Sequence, residues 1–129
     1  MGLFSRVLES IRGVAANDDP SGEDLLPEPT PGTTPIAETR DRERATVQGR
    51  VRLLTLPTAG SVTALIVEIA DRTGSMRLVF LGRKAIPGIE CGVVVRAQGR
   101  VSVKDGMRVI YNPSYEIVPR PTTDRMSEP

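Results

Sequence analysis

From Ala45 onward the apolar residues of this chain recur at every second position, and a period of two admits little besides half-buried β-strand. Ala45 to Leu56 sets Val47, Gly49, Val51 and Leu53 on one face and Gln48, Arg50 and Arg52 on the other. Pro57-Thr58-Ala59-Gly60 breaks that run, and Val62 to Asp71 forms a second strand with Leu65, Val67 and Ile69 inward and Ala64, Ile66 and Glu68 outward. Ser75 to Gly82 returns with Met76, Leu78 and Phe80 inward and Arg77, Val79 and Leu81 outward. Gly92 to Val103 opposes Val93, Val95, Ala97, Gly99 and Val101 to Val94, Arg96, Gln98 and Arg100, and Met107 to Asn112 begins a fifth strand, phased with Tyr111 inward and Arg108 outward. Asp71-Arg72-Thr73-Gly74 has the Asp and Gly positions of a tight turn, and Lys104-Asp105-Gly106 carries the Asp-Gly signal of a short hairpin.

Five short strands within residues 45 to 118 leave too little chain for a second covering layer. Closing the sheet on itself buries the inward face and removes the edges, so a small closed barrel is expected. Closure with so few strands needs sharp bends, which glycine inside a strand permits. Gly49 and Gly99 sit in that position, each within the same tetrapeptide, Gln48-Gly49-Arg50-Val51 and Gln98-Gly99-Arg100-Val101.

The rest of the chain has a different character. Leu3, Phe4, Val7, Leu8, Ile11, Val14 and Ala15 recur at helical spacing, which predicts a short amphipathic helix over residues 1 to 16. A helix of that length is marginal alone, so a protein partner covering residues 3–15 is one expectation. Arg6, Glu9 and Arg12 interrupt the apolar stretch, so it reads neither as a signal peptide nor as a membrane span, and Arg6 stands where myristoylation wants Ser or Thr. Residues 17–44, with NDDPSGEDLLPEPTPGTTP at their start, read as an acidic, Pro-rich linker, and 119–129 as a disordered tail.

The near-neutral total, +1, conceals a division. Residues 1–44 carry five Arg against nine Asp and Glu, a net −4, whereas 45–118 carry ten Lys and Arg against five acids, a net +5. In the strand phases above, Arg50, Arg52, Arg77, Arg96, Arg100 and Arg108 point outward, and Arg83 and Lys84 follow the third strand directly. A basic stripe of this kind attracts a phosphate backbone, single-stranded nucleic acid above all, and binds it independently of sequence. Only Phe80, Tyr111 and Tyr115 offer rings for base stacking in this region, with Phe80 and Tyr111 phased into the core and Tyr115 placed beyond Pro113. The chain has no His and one cysteine, Cys91, which removes the usual catalytic base and the commonest metal ligand. No cofactor, metal or catalytic constellation is implied, an enzyme is not expected, and a reducing cytoplasm suits the lone thiol.

Three segments carry a resemblance: Asp71-Arg72-Thr73-Gly74, then Phe80 to Ile89 (FLGRKAIPGI), then Asn112-Pro113-Ser114-Tyr115-Glu116. With the strands between them, residues of about 43 to 118 resemble the OB-fold nucleic-acid-binding domain proteins of actinobacteria and, more distantly, OB domains attached to anticodon recognition and helicase wedge regions. The resemblance implies an all-β, five-stranded Greek-key barrel of the OB type, here with a disordered N-terminal arm carrying the short helix, and a ligand groove over strands two and three. One departure stands out. OB barrels place a helix between strands three and four, whereas Arg83 to Cys91 has Pro87 and Gly88 in its middle and room for at most one turn. Two rival functions remain: an adaptor that uses the barrel as scaffold, favoured by outward Ile66, Val79 and Leu81, and an oligosaccharide binder, disfavoured by the absence of Trp.

Overall fold

The computed structural model describes residues 26–57 and 62–119. Six strands follow one 3-10 turn (Ile36–Glu38): β1 (Arg44–Thr55), β2 (Ala64–Ala70), β3 (Ser75–Leu81), β4 (Val94–Lys104), β5 (Met107–Tyr111) and β6 (Ser114–Val118). The sheet order is β1-β2-β3-β5-β4-β6, and an additional β1–β4 pairing closes the first five strands into a barrel. All pairings are antiparallel except β3–β5, which is parallel. β6 continues β5 along the same edge of β4 after a break at Asn112 and Pro113. The helix expected over residues 1 to 16, the start of the acidic segment and the tail beyond Pro119 lie outside the described residues.

β1 makes closure possible because it belongs to two ladders. Arg44 to Arg50 pair with β4, and Arg50 to Thr55 pair with β2. At the change of partner β1 presses so closely on β2 that a Cβ on Gly49 would lie 2.9 Å from the backbone nitrogen of Ala70. Gly99 is hemmed in likewise, by the Ile110 side chain at 2.6 Å. Both glycines thus stand where a neighbouring strand leaves no room for a side chain.

The phases of β2, β3 and β4 hold: Leu65, Val67, Ile69, Met76, Leu78 and Val101 share one buried core. Two phases differ. A β-bulge between Val51 and Leu53 drops Arg52 from the ladder, so Leu54 rather than Leu53 packs against the core. In β5 the whole alternation is reversed. Asp105 and Gly106 both have positive φ, 54° and 78°, as a two-residue primed turn requires, and this sets Met107 opposite Lys104. Met107, Val109 and Tyr111 therefore face outward, while Arg108 joins Ile110 on the inward side.

Among the described residues, the barrel ends are filled by turns and by the short 3-10 segment. Between β3 and β4, turns at Ile86–Ile89 and Glu90–Val93 bring Ile86 and Ile89 into the core, each 4% exposed. From the other side comes a segment whose composition had suggested a linker. Ile36 is fully buried, and its amide donates to Asp71 Oδ2 at 3.0 Å. The amide of Thr34 donates to the Thr46 carbonyl at 2.7 Å, and Arg108 donates to the carbonyls of Ala37 and Thr39 at 2.9 and 3.4 Å. Residues 26–44 thus pack on the barrel through one apolar side chain and specific backbone bonds, which a compositional average does not reveal.

Asp71 joins these parts. Its Oδ1 accepts from the Thr73 amide (2.7 Å), the Thr73 hydroxyl (2.6 Å) and the Gly74 amide (3.1 Å), while Oδ2 holds Ile36. Replacing Asp71 by Ala strips four donors of their acceptor and should lower stability by about 2–4 kcal/mol in urea unfolding. Gly49→Ala forces β1 away from the β2 backbone and should cost about 2–3 kcal/mol in the same assay.

Candidate nucleic-acid interface

The barrel wall has two outer surfaces of opposite chemistry. Over β2, β3 and β5 lie Ala64, Ile66, Val79 and Val109, flanked by Val62, Leu81, Met107 and Tyr111. These form one contiguous apolar cluster, yet Ile66, Val79 and Val109 are only 2%, 0% and 2% exposed. Burial pushes the Tyr111 phenol above its ordinary value. Arg77 emerges within this surface against its ladder partner Glu68, with Nη2 3.1 Å from Oε1 and side-chain exposures of 22% and 10%. Its Nε is buried and has no partner among the described residues. Arg77 therefore neutralises a carboxylate in an apolar wall.

The second surface lies over β1, β4 and β6. Because Val47, Val95, Ala97 and Val101 are core residues, the alternate positions face out, and the ladder aligns them in rows: Arg44 with Arg100, Thr46 with Gln98, Gln48 with Arg96, Arg50 with Val94. Ser114, Glu116 and Val118 of β6 extend the last three rows. Arg96 donates through Nε and Nη2 to Gln48 Oε1 at 3.2 and 3.0 Å and through Nη1 to Glu116 Oε1 at 3.1 Å. Half-buried Arg50 donates to the Gly92 carbonyl, and exposed Arg100 donates to the Arg42 carbonyl at 3.0 Å. Where β1 bulges, Arg52 borders an open cavity of about 430 Å³ shared with Arg72, Thr73, Gly74 and Ser75 of the β2–β3 turn.

The ten residues singled out in the sequence thus fall into separate groups. Arg50, Arg96 and Arg100 share the β1–β4 surface, and Arg52 lies beyond it at the β1 bulge, beside the β2–β3 turn. Phe80, 5% exposed, meets Tyr115 edge-on with ring centroids 5.7 Å apart, and Tyr115 itself is 40% exposed. Arg83 and Lys84 are exposed in the loop after β3. Arg77 is held by Glu68, and Arg108 is turned toward the 3-10 turn, which corrects its outward phasing. Arg44 belongs to the same alternation as Arg50, because β1 begins one residue before the apolar alternation that starts at Ala45.

No protein-family model matches this chain, and no curated protein matches it. Among solved structures, the OB domain (residues 67–166) of MM0293 from Methanosarcina mazei is similar at a TM-score of 0.54 and 19% identity, over 73% of this chain and 88% of that one. The fold is that of an OB domain. A replication protein A heterotrimer bound to ssDNA is similar at a TM-score of 0.48 and 15% identity, covering 81% of this chain and 80% of that one. In this OB barrel the outer surface of β2 and β3 is the apolar one, so its basic groups gather beside it, along β1 and β4.

Arg77→Met leaves Glu68 buried without its cation and should destabilise the barrel by about 3 kcal/mol, most of which the double variant Arg77→Met/Glu68→Leu should restore. Chemical denaturation of the two variants measures both effects.

Proposed function

We propose that this OB domain is a nucleic-acid-binding module without catalytic activity, that it prefers single strands, and that it holds them mainly by phosphate contacts. The observation that supports this reading is the gathering of Arg44, Arg50, Arg96 and Arg100 on the outer surface of β1 and β4, with Arg52 beyond it at the β1 bulge. Along β1 the distance from Arg44 to Arg52 is about 26 Å at strand rise, enough for several nucleotides. The Arg52 end continues into the cavity beside Arg72, whose Nε donates to the Leu26 carbonyl at 3.1 Å and whose Nη1 reaches Glu28 at 3.2 Å. Tyr115 stands opposite core residue Ala97 and edge-on to Phe80, on the other side of β6 from the arginine surface, so with no ring on that surface the charge carries most of the affinity. Arg83 and Lys84 extend the positive field from the loop after β3. The lone exposed thiol of Cys91 suits a reducing, cytoplasmic setting.

A second reading, a protein-docking adaptor, draws on the contiguity of Ile66, Val79, Leu81 and Tyr111. The centre of that cluster is covered, so it serves the packing of the barrel wall first.

Fluorescence anisotropy with labelled single- and double-stranded DNA and RNA tests the proposal. Single strands should bind more tightly than duplexes, with log K falling against log salt at a slope near −3, about 0.7 for each of four or five phosphates. Equal binding of duplexes removes the single-strand preference. Absence of binding at low salt removes the function.

A further inference from the structure

We infer that the outer face of β1, β4 and β6 carries a nucleotide subsite in which Arg44 and Arg100 clamp one phosphodiester and Gln98 hydrogen-bonds the attached base. The inference rests on the nucleic-acid reading above and names the place on the barrel where the strand is gripped.

Arg44 and Arg100 stand directly opposite each other in the β1–β4 ladder, and both are exposed. Like charges at opposed positions repel, and sheets commonly set a carboxylate there instead. Among the described residues neither arginine is paired with one. Arg100 is nonetheless oriented, since its Nη1 donates to the Arg42 carbonyl at 3.0 Å. Arg42 presents that carbonyl from a left-handed backbone conformation, φ 71°, which is uncommon for a residue with a long side chain. Two adjacent guanidinium groups, one of them pre-oriented, match the fork geometry that phosphate oxygens accept, and a bound phosphate would relieve the repulsion between them.

The next row supplies the neutral half of the subsite. Thr46, Gln98 and Ser114 align across the three strands and line an open groove of about 270 Å³. Gln98 is exposed, and its amide offers a donor and an acceptor side by side, the pattern that reads a base edge. Two residues along β4 separate it from Arg100, about 7 Å, comparable with the reach from a phosphate to its own base. Beyond it the groove ends at Arg96, whose guanidinium is already shared between Gln48 and Glu116. Of the two rows that flank Gln98, the Arg96 row has its charge offset by Glu116 and the Arg44–Arg100 row does not, which places the phosphate on the Arg44–Arg100 side.

The test titrates the full chain and its variants with labelled 20-mers of DNA at several salt concentrations, using melting temperature to verify folding. Arg44→Ala/Arg100→Ala should weaken binding at least tenfold and make the salt slope shallower by about 0.7, the share of the one phosphate they hold. Gln98→Ala should weaken binding about fivefold or more and leave the slope unchanged, because a neutral contact releases no counterion. If the wild type binds but the double variant keeps its affinity and slope, the subsite is overturned and the nucleic-acid function survives. If the arginine variant loses affinity while Gln98→Ala binds as the wild type does, the base contact is overturned. A wild type that binds no oligonucleotide overturns this inference together with the function it rests on.

Discussion

The carboxylate of Asp71 ties together parts of the molecule that the chain keeps far apart. One oxygen organises the β2–β3 turn and the other holds the amide of Ile36, thirty-five residues earlier. The turn stays tight and the end of the barrel is filled by Ile36 as a result. Four donors on one buried carboxylate replace the water it loses on folding, which is the condition for an acid to remain inside a small apolar core. The lead-in segment of residues 26–44 is thus part of the folded unit, and Arg108 reinforces it by donating to the carbonyls of Ala37 and Thr39.

The barrel was legible in the sequence because its strongest determinants are local. Period-two alternation marked β1 to β4, Asp-Gly marked the β4–β5 turn, and two glycines inside strands marked positions where neighbouring strands approach closely. What could not be read was register wherever both faces are apolar. β5 reads Met107-Arg108-Val109-Ile110-Tyr111, a pattern that permits either phase, and only the two-residue turn before it decides that Tyr111 faces out and Arg108 in. The bulge at Arg52 was hidden for a related reason. Leu53 and Leu54 are equally apolar, so nothing in the chain says which of them follows the strand's change of phase.

The candidate site was legible in part for a physical reason as well. Outward positions can be counted from alternation, but what an outward arginine does depends on its neighbours across the ladder. Arg77 faces Glu68, Arg96 lies between Gln48 and Glu116, and Arg44 faces Arg100. Three arginines with the same local pattern thus have different electrostatic roles: neutralised in an apolar wall, shared within a polar row, and left facing another cation. The apolar cover over β2 and β3 likewise follows from β5 lying beside β3, a neighbour relation between elements distant in sequence.

The double membership of β1 also governs how the chain reaches this structure. β2 and β3 form a local hairpin, but the barrel has no inside until Arg44 to Arg50 meet a strand about fifty residues away, and β3 pairs in parallel with a strand reached only after β4 is made. The entropy of closing these long loops is incurred before the shared core repays it. Folding should accordingly be slow for so short a chain and all-or-none, with no half of the barrel persisting alone. Whatever binds the surface of β1 and β4 spans the seam that closes the barrel, and by favouring the closed form it holds that seam shut.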